Sequence, residues 1–514
     1  MTRLLAALSL LAFSACAVGP KYQRPEAPTP TAFRYTLSAD EARSIADLPW
    51  WQMYRDPILQ GLIEEALTAN QDLRVAAARV DAFRAQVGVA AADFYPQIGL
   101  GAAGSYGQQN AKNYVPGQGA SGSFNVNLGM SWELDVWGRI RNATDAARAE
   151  LMATEEFRRG VVLALVADVA QTYAELMELD VELEVARRNT VTRQGTLDLF
   201  TKRSQGGVGN DLEVNQARAD LAVTAAAIPG TERLIALKES QMGVLLGRPP
   251  GPVPRSRAPE QQTAPELPMG VPAQLLERRP DIRRTEYRVK AATSNVGVAV
   301  ANRLPKLSIE GIIGFAGPSL ASTFTAAGFL GSIGAGLVAP IFEGGRLASQ
   351  EEAAWAGLEE AVGLYRQQVI TAWREVADAA VSVRKLGEVA TQQAIQVTAA
   401  KSAERLARLR YEGGVSAYLE VLDAQRSLFN SELTLAQTNR DQLVAMVQLY
   451  KALGGGWQEK AAQAAGQAAP AGGELPPPAG AAPAGGASPA NAPGTTILPP
   501  PPKPDAPAAA PPKA

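Results

Sequence analysis

Residues 124 to 136 alternate strictly. Phe124, Val126, Leu128, Met130, Trp132, Leu134 and Val136 are apolar, and Asn125, Asn127, Gly129, Ser131, Glu133 and Asp135 lie between them. A period of two over this length predicts a strand with one face in lipid and one in water. A second such segment, from about Gly331 to Phe342, puts Ile333, Ala335, Leu337, Ala339 and Ile341 on one face. Weaker strands precede each, over Gln97 to Tyr106 and Lys306 to Phe315, with Gly/Ser/Asn-rich loops at 107–122 and 316–328 inside each pair. A soluble sandwich strand with one wet face would alternate in the same way, but the chain has little other β content. About four strands cannot close a barrel by themselves.

The remaining pattern is helical. No proline occurs from Arg139 to Ile228 or from Ile341 to Ala469. Val162, Leu165, Val169, Thr172, Leu176, Leu179 and Leu183 keep a 3-4 spacing, and Val369, Ala372, Val376, Ala379, Val383, Leu386 and Ala390 repeat it. This is coiled-coil periodicity. It predicts helices from Arg139 to about Gln205 and from Arg346 to about Glu412, each roughly 100 Å long. Glycines at 206, 207 and 209, and at 413 and 414, end these rods, because glycine accepts the left-handed conformation of a helix stop. Asn210 with Glu213 fits a capping box for the return helix, and Ser416 is placed to cap its counterpart. Shorter helices are predicted from about Asp56 to Asp93 and from about Pro272 to Asn302.

Both patterns occur twice because the chain is duplicated. Asp72-Leu73-Arg74, Val87-Gly88-Val89-Ala90 and Pro96 recur 209 residues later as Asp281-Ile282-Arg283, Val296-Gly297-Val298-Ala299 and Pro305. Gly138-Arg139, Gly207-Val208, Leu212-Glu213-Val214 and Leu246-Gly247 recur 207 residues later as Gly345-Arg346, Gly414-Val415, Leu419-Glu420-Val421 and Leu453-Gly454. A loop-length difference explains the slip of two. The unit is a whole half-domain, with one strand pair and one helical hairpin in each copy.

Composition narrows the class. Arg3, an apolar stretch from Leu4 to Phe13 and Ser14-Ala15 before Cys16 read as a bacterial lipoprotein leader, residues 1–15, too short to span a bilayer. Cys16 is the only cysteine, so it cannot form an internal disulfide, and its position makes it the candidate lipid attachment site. Ala17 follows where some bacteria carry a retention aspartate, which favours the outer membrane. Residues 16–49 read as an extended linker, with packing expected to begin at Trp50-Trp51, and 457–514 as an Ala/Pro/Gly-rich disordered tail. The chain has no histidine, which removes His-based triads and His-ligated zinc. No nucleophile or phosphate loop stands out, no cofactor or metal is implied, and the eight methionines do not cluster. A net charge of −2 gives no footprint for nucleic acid. After the leader no apolar run approaches the length of a membrane helix, which leaves the closed barrel as the route through a bilayer.

Two duplicated halves of this kind on a lipoprotein leader resemble the TolC-type outer membrane factors. Cys16-Ala17-Val18-Gly19-Pro20-Lys21-Tyr22-Gln23-Arg24-Pro25, Trp50-Trp51, Asp56-Pro57 and Leu422-Asp423-Ala424-Gln425-Arg426-Ser427-Leu428 are similar to the lipoprotein NodT-type branch serving efflux pumps. The two repeats are then 50–256 and 257–456. The resemblance implies a mixed α/β membrane protein, internally duplicated. Its homotrimer pools four strands per chain into one 12-stranded transmembrane β-barrel, continued by a long periplasmic α-helical coiled-coil barrel. It further implies a passive exit duct at the outer-membrane lipid, partnered by a periplasmic adaptor and an inner-membrane transporter of the resistance-nodulation-division (RND) class. The hairpin tips, Gly207, Val208, Gly209, Gly414, Val415 and Ser416, would meet the adaptor.

In the family a charged iris closes the periplasmic end. By position Asp423 and Arg426 match that iris, Glu420 matches an acidic ring, and Tyr411 matches a tyrosine that locks the inner hairpin. Glu420, Asp423 and Arg426 are three apart and share a helix face, with Arg426 the expected partner of Asp423. Gln216 and Ala219 occupy the equivalent positions in the first half, so only the second hairpin is expected to gate. Two rival functions remain open on sequence: a duct for type I protein secretion, and a structural lipoprotein spanning the periplasm.

Overall fold

The computed structural model describes residues 17–28, 56–107, 121–256 and 278–455. The leader, Cys16, Trp50-Trp51, most of the 107–122 loop, the first residues of the helix expected from Pro272 and the tail lie outside them.

Two short helices open the body, α1 (Pro57–Ala69) and α2 (Gln71–Ala92). A single helix was expected here. Asn70 breaks it: its backbone is extended (ψ 133°), and its side chain accepts from the Leu73 amide at 3.1 Å as the cap of α2. Strand β1 (Gln97–Gly107) follows, then β2 (Ser121–Leu134), the 67-residue α3 (Arg139–Gln205) and α4 (Asp211–Leu245). The second half repeats this as α5 (Pro280–Ala301), β3 (Lys306–Gly317), β4 (Phe329–Val338), the 67-residue α7 (Arg346–Glu412) and α8 (Tyr418–Ala452), with a one-turn helix α6 (Leu320–Thr323) between its strands. Both long helices end where the periodicity places them.

The strands form one antiparallel sheet in the order β1-β2-β3-β4. The register sorts the residues by face. Ile98, Leu100 and Ala102 stand opposite Met130, Leu128 and Val126; these continue to Gly311, Ile313 and Phe315, and on to Ile333, Gly331 and Phe329. The other face carries Gln97, Ser105, Asn125, Asn127, Ser131, Glu133, Lys306, Ser308, Glu310 and Ser332, with Ile312, Leu330 and Val338 as apolar exceptions. One face therefore suits lipid and the other an aqueous lumen. Val136, Ala339 and Ile341 fall just outside the strands assigned to them by alternation.

Helix α3 has no side-chain bond from its own cap residue, Gly138; instead Asp135 accepts from the Ile140 and Arg141 amides, each at 2.9 Å. Arg139 holds Glu133 at 2.7 Å, and Trp137 Nε1 donates to the Pro305 carbonyl at 2.7 Å, fixing the rod to the sheet. Farther down, the core gathers Leu59, Leu62 and Ile63 of α1 with Val169, Tyr173 and Leu176 of α3, Met242 of α4 and Leu449 of α8. The expected 3-4 positions from Leu165 to Leu179 are buried here. Helix α3 does contain an 18-residue window of mean hydropathy 1.4, apolar enough for a membrane span, but most of it is buried inside the fold. Its apolarity is that of a core helix.

The shorter helices stack end to end beside the rods. Asn70 Nδ2 donates to the Leu245 carbonyl at 2.9 Å, joining α4 to α2. In the second half Arg279 Nη1 donates to the Ala452 carbonyl at 2.7 Å, joining α8 to α5. Asn70 and Arg279 are duplicate positions, and so are Leu245 and Ala452.

Residues 17–28 form no helix or strand but are not free of the body, which corrects the view that packing starts at Trp50. The Val18 amide donates to the Trp137 carbonyl at 3.0 Å, and Asn142 Nδ2 donates back to the Val18 carbonyl at 3.0 Å. Tyr22 donates to Glu286 at 3.0 Å and Arg24 pairs with the same carboxylate at 3.1 Å.

Candidate periplasmic gate

The rods end in matching turns. Val208 donates to the Arg203 carbonyl and Gly207 to that of Ser204, each at 3.0 Å; Val415 donates to Arg410 and Gly414 to Tyr411 at the same distance. This is the Schellman pattern, and Gly207 (φ +75°) and Gly414 (φ +71°) hold its left-handed position. Val208 and Val415 project from the tips into solvent. The capping box expected at Asn210 and Glu213 does not form, and Ser416 does not cap α8. Asn210 caps α4 alone, accepting from the Leu212 amide at 2.8 Å, while its carbonyl takes the Glu213 amide. The cap position of α8 is Ala417, and the Ser416 hydroxyl is buried without a partner.

Just behind the tips the two hairpins meet. Phe200, Val214, Ala217, Tyr418, Val421 and Leu422 form a small core. Phe200 stands edge-on to Tyr418 with ring centroids 4.4 Å apart, and Tyr411 closes the group 5.5 Å from Tyr418. Burial, with the nearby Asp220 charge, pushes the Tyr418 phenol up to about 12. Tyr411 is also raised by burial, against the opposing pull of Arg203. Arg203 Nη1 donates to the Tyr411 hydroxyl at 3.0 Å, a bond from the first hairpin to the second.

A second bond of this kind lies deeper. Asp220 on α4 is 2% exposed, and Arg193 on α3 is 4% exposed. Arg193 Nη1 sits 3.0 Å from Asp220 Oδ2 and donates to the Asp220 carbonyl at 3.0 Å. Arg426 of α8 then donates through Nε to Asp220 Oδ1 at 3.1 Å. Desolvation lowers the Arg193 guanidinium from its ordinary value, and the Arg426 charge adds to that. A carboxylate this deeply buried, already facing one arginine, gains more from a second cation than an exposed carboxylate does.

The four expected gate residues thus divide. Tyr411 and Arg426 hold the other hairpin. Glu420 stays within its own hairpin, 3.5 Å from Arg410 Nε across the turn. Asp423 is exposed and makes no bond to any described residue. The expectation that Arg426 partners Asp423 is therefore wrong: Asp220 takes it. Arg193, Asp220, Arg203 and Phe200 were not foreseen, and the first hairpin contributes as much to the junction as the second.

Comparison with known proteins agrees with this architecture. Residues 62–248 and 271–455 match the outer membrane efflux protein family. The chain is 33% identical over 480 residues to the probable efflux pump outer membrane protein TtgC of Pseudomonas putida, covering 91% of this chain and 99% of the relative. It is 32% identical to the cation efflux system protein CusC of Escherichia coli, over 87% of this chain and 97% of that one. Among solved structures, CusC superimposes with a TM-score of 0.78 at 32% identity, over 86% of this chain and all of the other. The outer membrane protein VceC of Vibrio cholerae gives 0.71 at 30% identity, over 80% and 100%. The fold is that of these channels: four strands per chain in a trimeric barrel in the outer membrane, continued into the periplasm by helices. The chain belongs to the outer membrane efflux protein family, and it is the outer-membrane exit duct of a tripartite efflux system rather than an enzyme.

Proposed function

We propose that this duct passively conducts small molecules, and that the junction behind the tips is its periplasmic gate. The observation that carries the gate is the pair of bonds between hairpins, Arg203 to Tyr411 and Arg426 to Asp220. While both hold, the second hairpin cannot swing away from the first. Glu420 and Asp423, exposed on the same face, form carboxylate rings in a trimer and set the charge at the constriction. The tips, with Val208 and Val415 bare at their ends, receive a periplasmic adaptor, and an inner-membrane transporter of the RND class supplies the energy. A lipid on Cys16 holds the mature N-terminus at the outer membrane. The docking of Val18 onto Trp137, beside the sheet, supports an anchor at that level.

The test is extrusion of a fluorescent dye from cells that carry a pump and adaptor of this class but lack an exit duct. This protein should restore extrusion, and Cys16→Ser should lower the amount reaching the outer membrane without abolishing the fold. Unrestored extrusion, with secretion of a protein instead, overturns the small-molecule assignment.

A further inference from the structure

The lumenal face of the sheet can be followed down the helices. Arg139 donates to Glu133, on that face, at 2.7 Å. Phe157 comes eighteen residues later on α3. That is five full turns, so it points into the tunnel roughly 27 Å below the sheet. Arg284 of α5 and Arg79 of α2 lie over its ring, 4.6 and 5.4 Å from the centroid, and share that face. Helix α5 gives an independent check. Its other side carries the N-terminal segment, with Gly19 against Gly297, Tyr22 on Glu286 and Lys290 over the Tyr22 ring. Arg284 and Arg288 lie roughly 120–180° round the helix from those contacts. Arg79 and Arg288 are duplicate positions, 209 residues apart. A trimer therefore alternates them around the tunnel at one level, with Arg284 one turn away.

We propose that Arg79, Arg284 and Arg288 form a cationic belt in the tunnel that binds organic polyanions in transit, solutes carrying two or more carboxylate or sulfonate groups. This deepens the small-molecule reading, on which it rests, by naming a class of cargo.

The belt holds charge that the chain itself does not answer. None of the three arginines forms an ion pair with a described residue. The carboxylates nearby are occupied: Asp281 accepts from Arg279 and Gln368, Glu156 pairs with Arg159 and Arg283, and Glu155 faces Arg84. Burial lowers the Arg284 guanidinium from its ordinary value, and the charges of Arg288 and Arg79 lower it further, against the pull of Glu150. The Phe157 ring offsets part of this repulsion through its negative face, which lets the cations stand close without a carboxylate between them. Arg79 and Arg288 are exposed and Arg284 is half-buried, so all three remain within reach of a solute. A guanidinium fork matches a carboxylate or sulfonate with two parallel bonds. Because the forks stand on separate helices, a solute with several anionic groups engages more than one of them, and a single small anion does not. Cations lining one wall of a narrow passage also raise the local concentration of anions. Glu420 and Asp423 lie at the far end of the rods, so the field changes sign along the duct.

Fluorescence anisotropy of pyrenetetrasulfonate with the full-length, detergent-solubilised protein measures the binding. Changing Arg79, Arg284 and Arg288 together to Gln should weaken it about tenfold, and citrate should displace the dye from the wild type. Arg148→Gln, Arg187→Gln and Arg384→Gln together remove equal charge elsewhere and should leave affinity within about twofold of wild type. Arg288→Gln alone, at an exposed position, should weaken binding about two- to threefold and tests the belt even where the triple variant fails to assemble. Equal affinity in the belt and control variants, or no saturable binding to the wild type, would overturn the belt and leave the exit duct standing. Saturable, citrate-sensitive binding by a protein that restores no dye extrusion would overturn the duct reading and keep the belt.

Discussion

Arg426→Ala tests the gate most directly. It removes the Nε bond to Asp220 Oδ1 and leaves Asp220 paired with Arg193, so no buried charge is stranded and the hairpins should still fold. A hydrogen bond to a charged group contributes about 1.5–3 kcal/mol. The Arg426 side chain is 57% exposed, and screening reduces that to about 1 kcal/mol per protomer. If all three protomers must release together, the closed state loses about 3 kcal/mol, and the ratio of open to closed channels rises roughly 150-fold. Single-channel recording in planar bilayers measures this as open probability. Arg426→Lys should fall between, since it keeps the charge and loses the planar fork. Asp220→Asn should behave differently. It strands the buried Arg193 at a cost of about 3–5 kcal/mol and should lower the thermal midpoint as well as opening the channel. An open probability for Arg426→Ala within about twofold of wild type would mean that the bond does not bias the two states, and the gate would lie elsewhere.

Asp423→Ala should weaken cation preference without changing open probability, because its carboxylate holds no other described residue; reversal potentials across a salt gradient read the difference. Glu178, between α3 and α8, is pushed up to about 7 by burial first and then by Glu182, against the pull of Arg440. The folded form therefore keeps a proton that the unfolded chain gives up above about pH 4.5, so this group's contribution to stability falls as pH rises from about 4.5 to 7. Glu178→Gln should flatten the fall in thermal midpoint over that range and raise the midpoint at pH 8, and an unchanged profile would count against the assignment. Gly19→Ala should lift the N-terminal segment, since φ is +115° there and a Cβ would lie 2.5 Å from the Gly297 Cα; faster hydrogen exchange at residues 18–24 is the expected sign.

The rods were legible because an unbroken 3-4 pattern runs between glycines at both ends. The break at Asn70 was missed because the apolar pattern continues across it. Its duplicate, Arg279, precedes Pro280, and a residue before proline leaves the helical region, so reading the repeat backwards would have placed the break. The junction behind the tips was half legible. Tyr411 and Arg426 came from the family pattern, while Arg193 and Asp220 carry no motif. A signal existed even so: Leu165, Thr172, Leu179, Ala186, Arg193 and Phe200 are seven apart and all buried, and a lone arginine in that column requires a buried anion. Pairing Arg426 with Asp423 failed because helix spacing counts neighbours on one helix only, whereas Asp220 comes from another hairpin.

Equal lengths in the two halves have a consequence for how such a duct changes size. Both outgoing helices have 67 residues and both returning helices have 35. Removing seven residues from each helix of one hairpin would raise its tip by roughly 10 Å and leave a ragged collar with alternate fingers short. A wider or narrower periplasm can be matched only by paired changes, whole heptads at the same level in both repeats, so length is inherited as a coupled trait of the duplication.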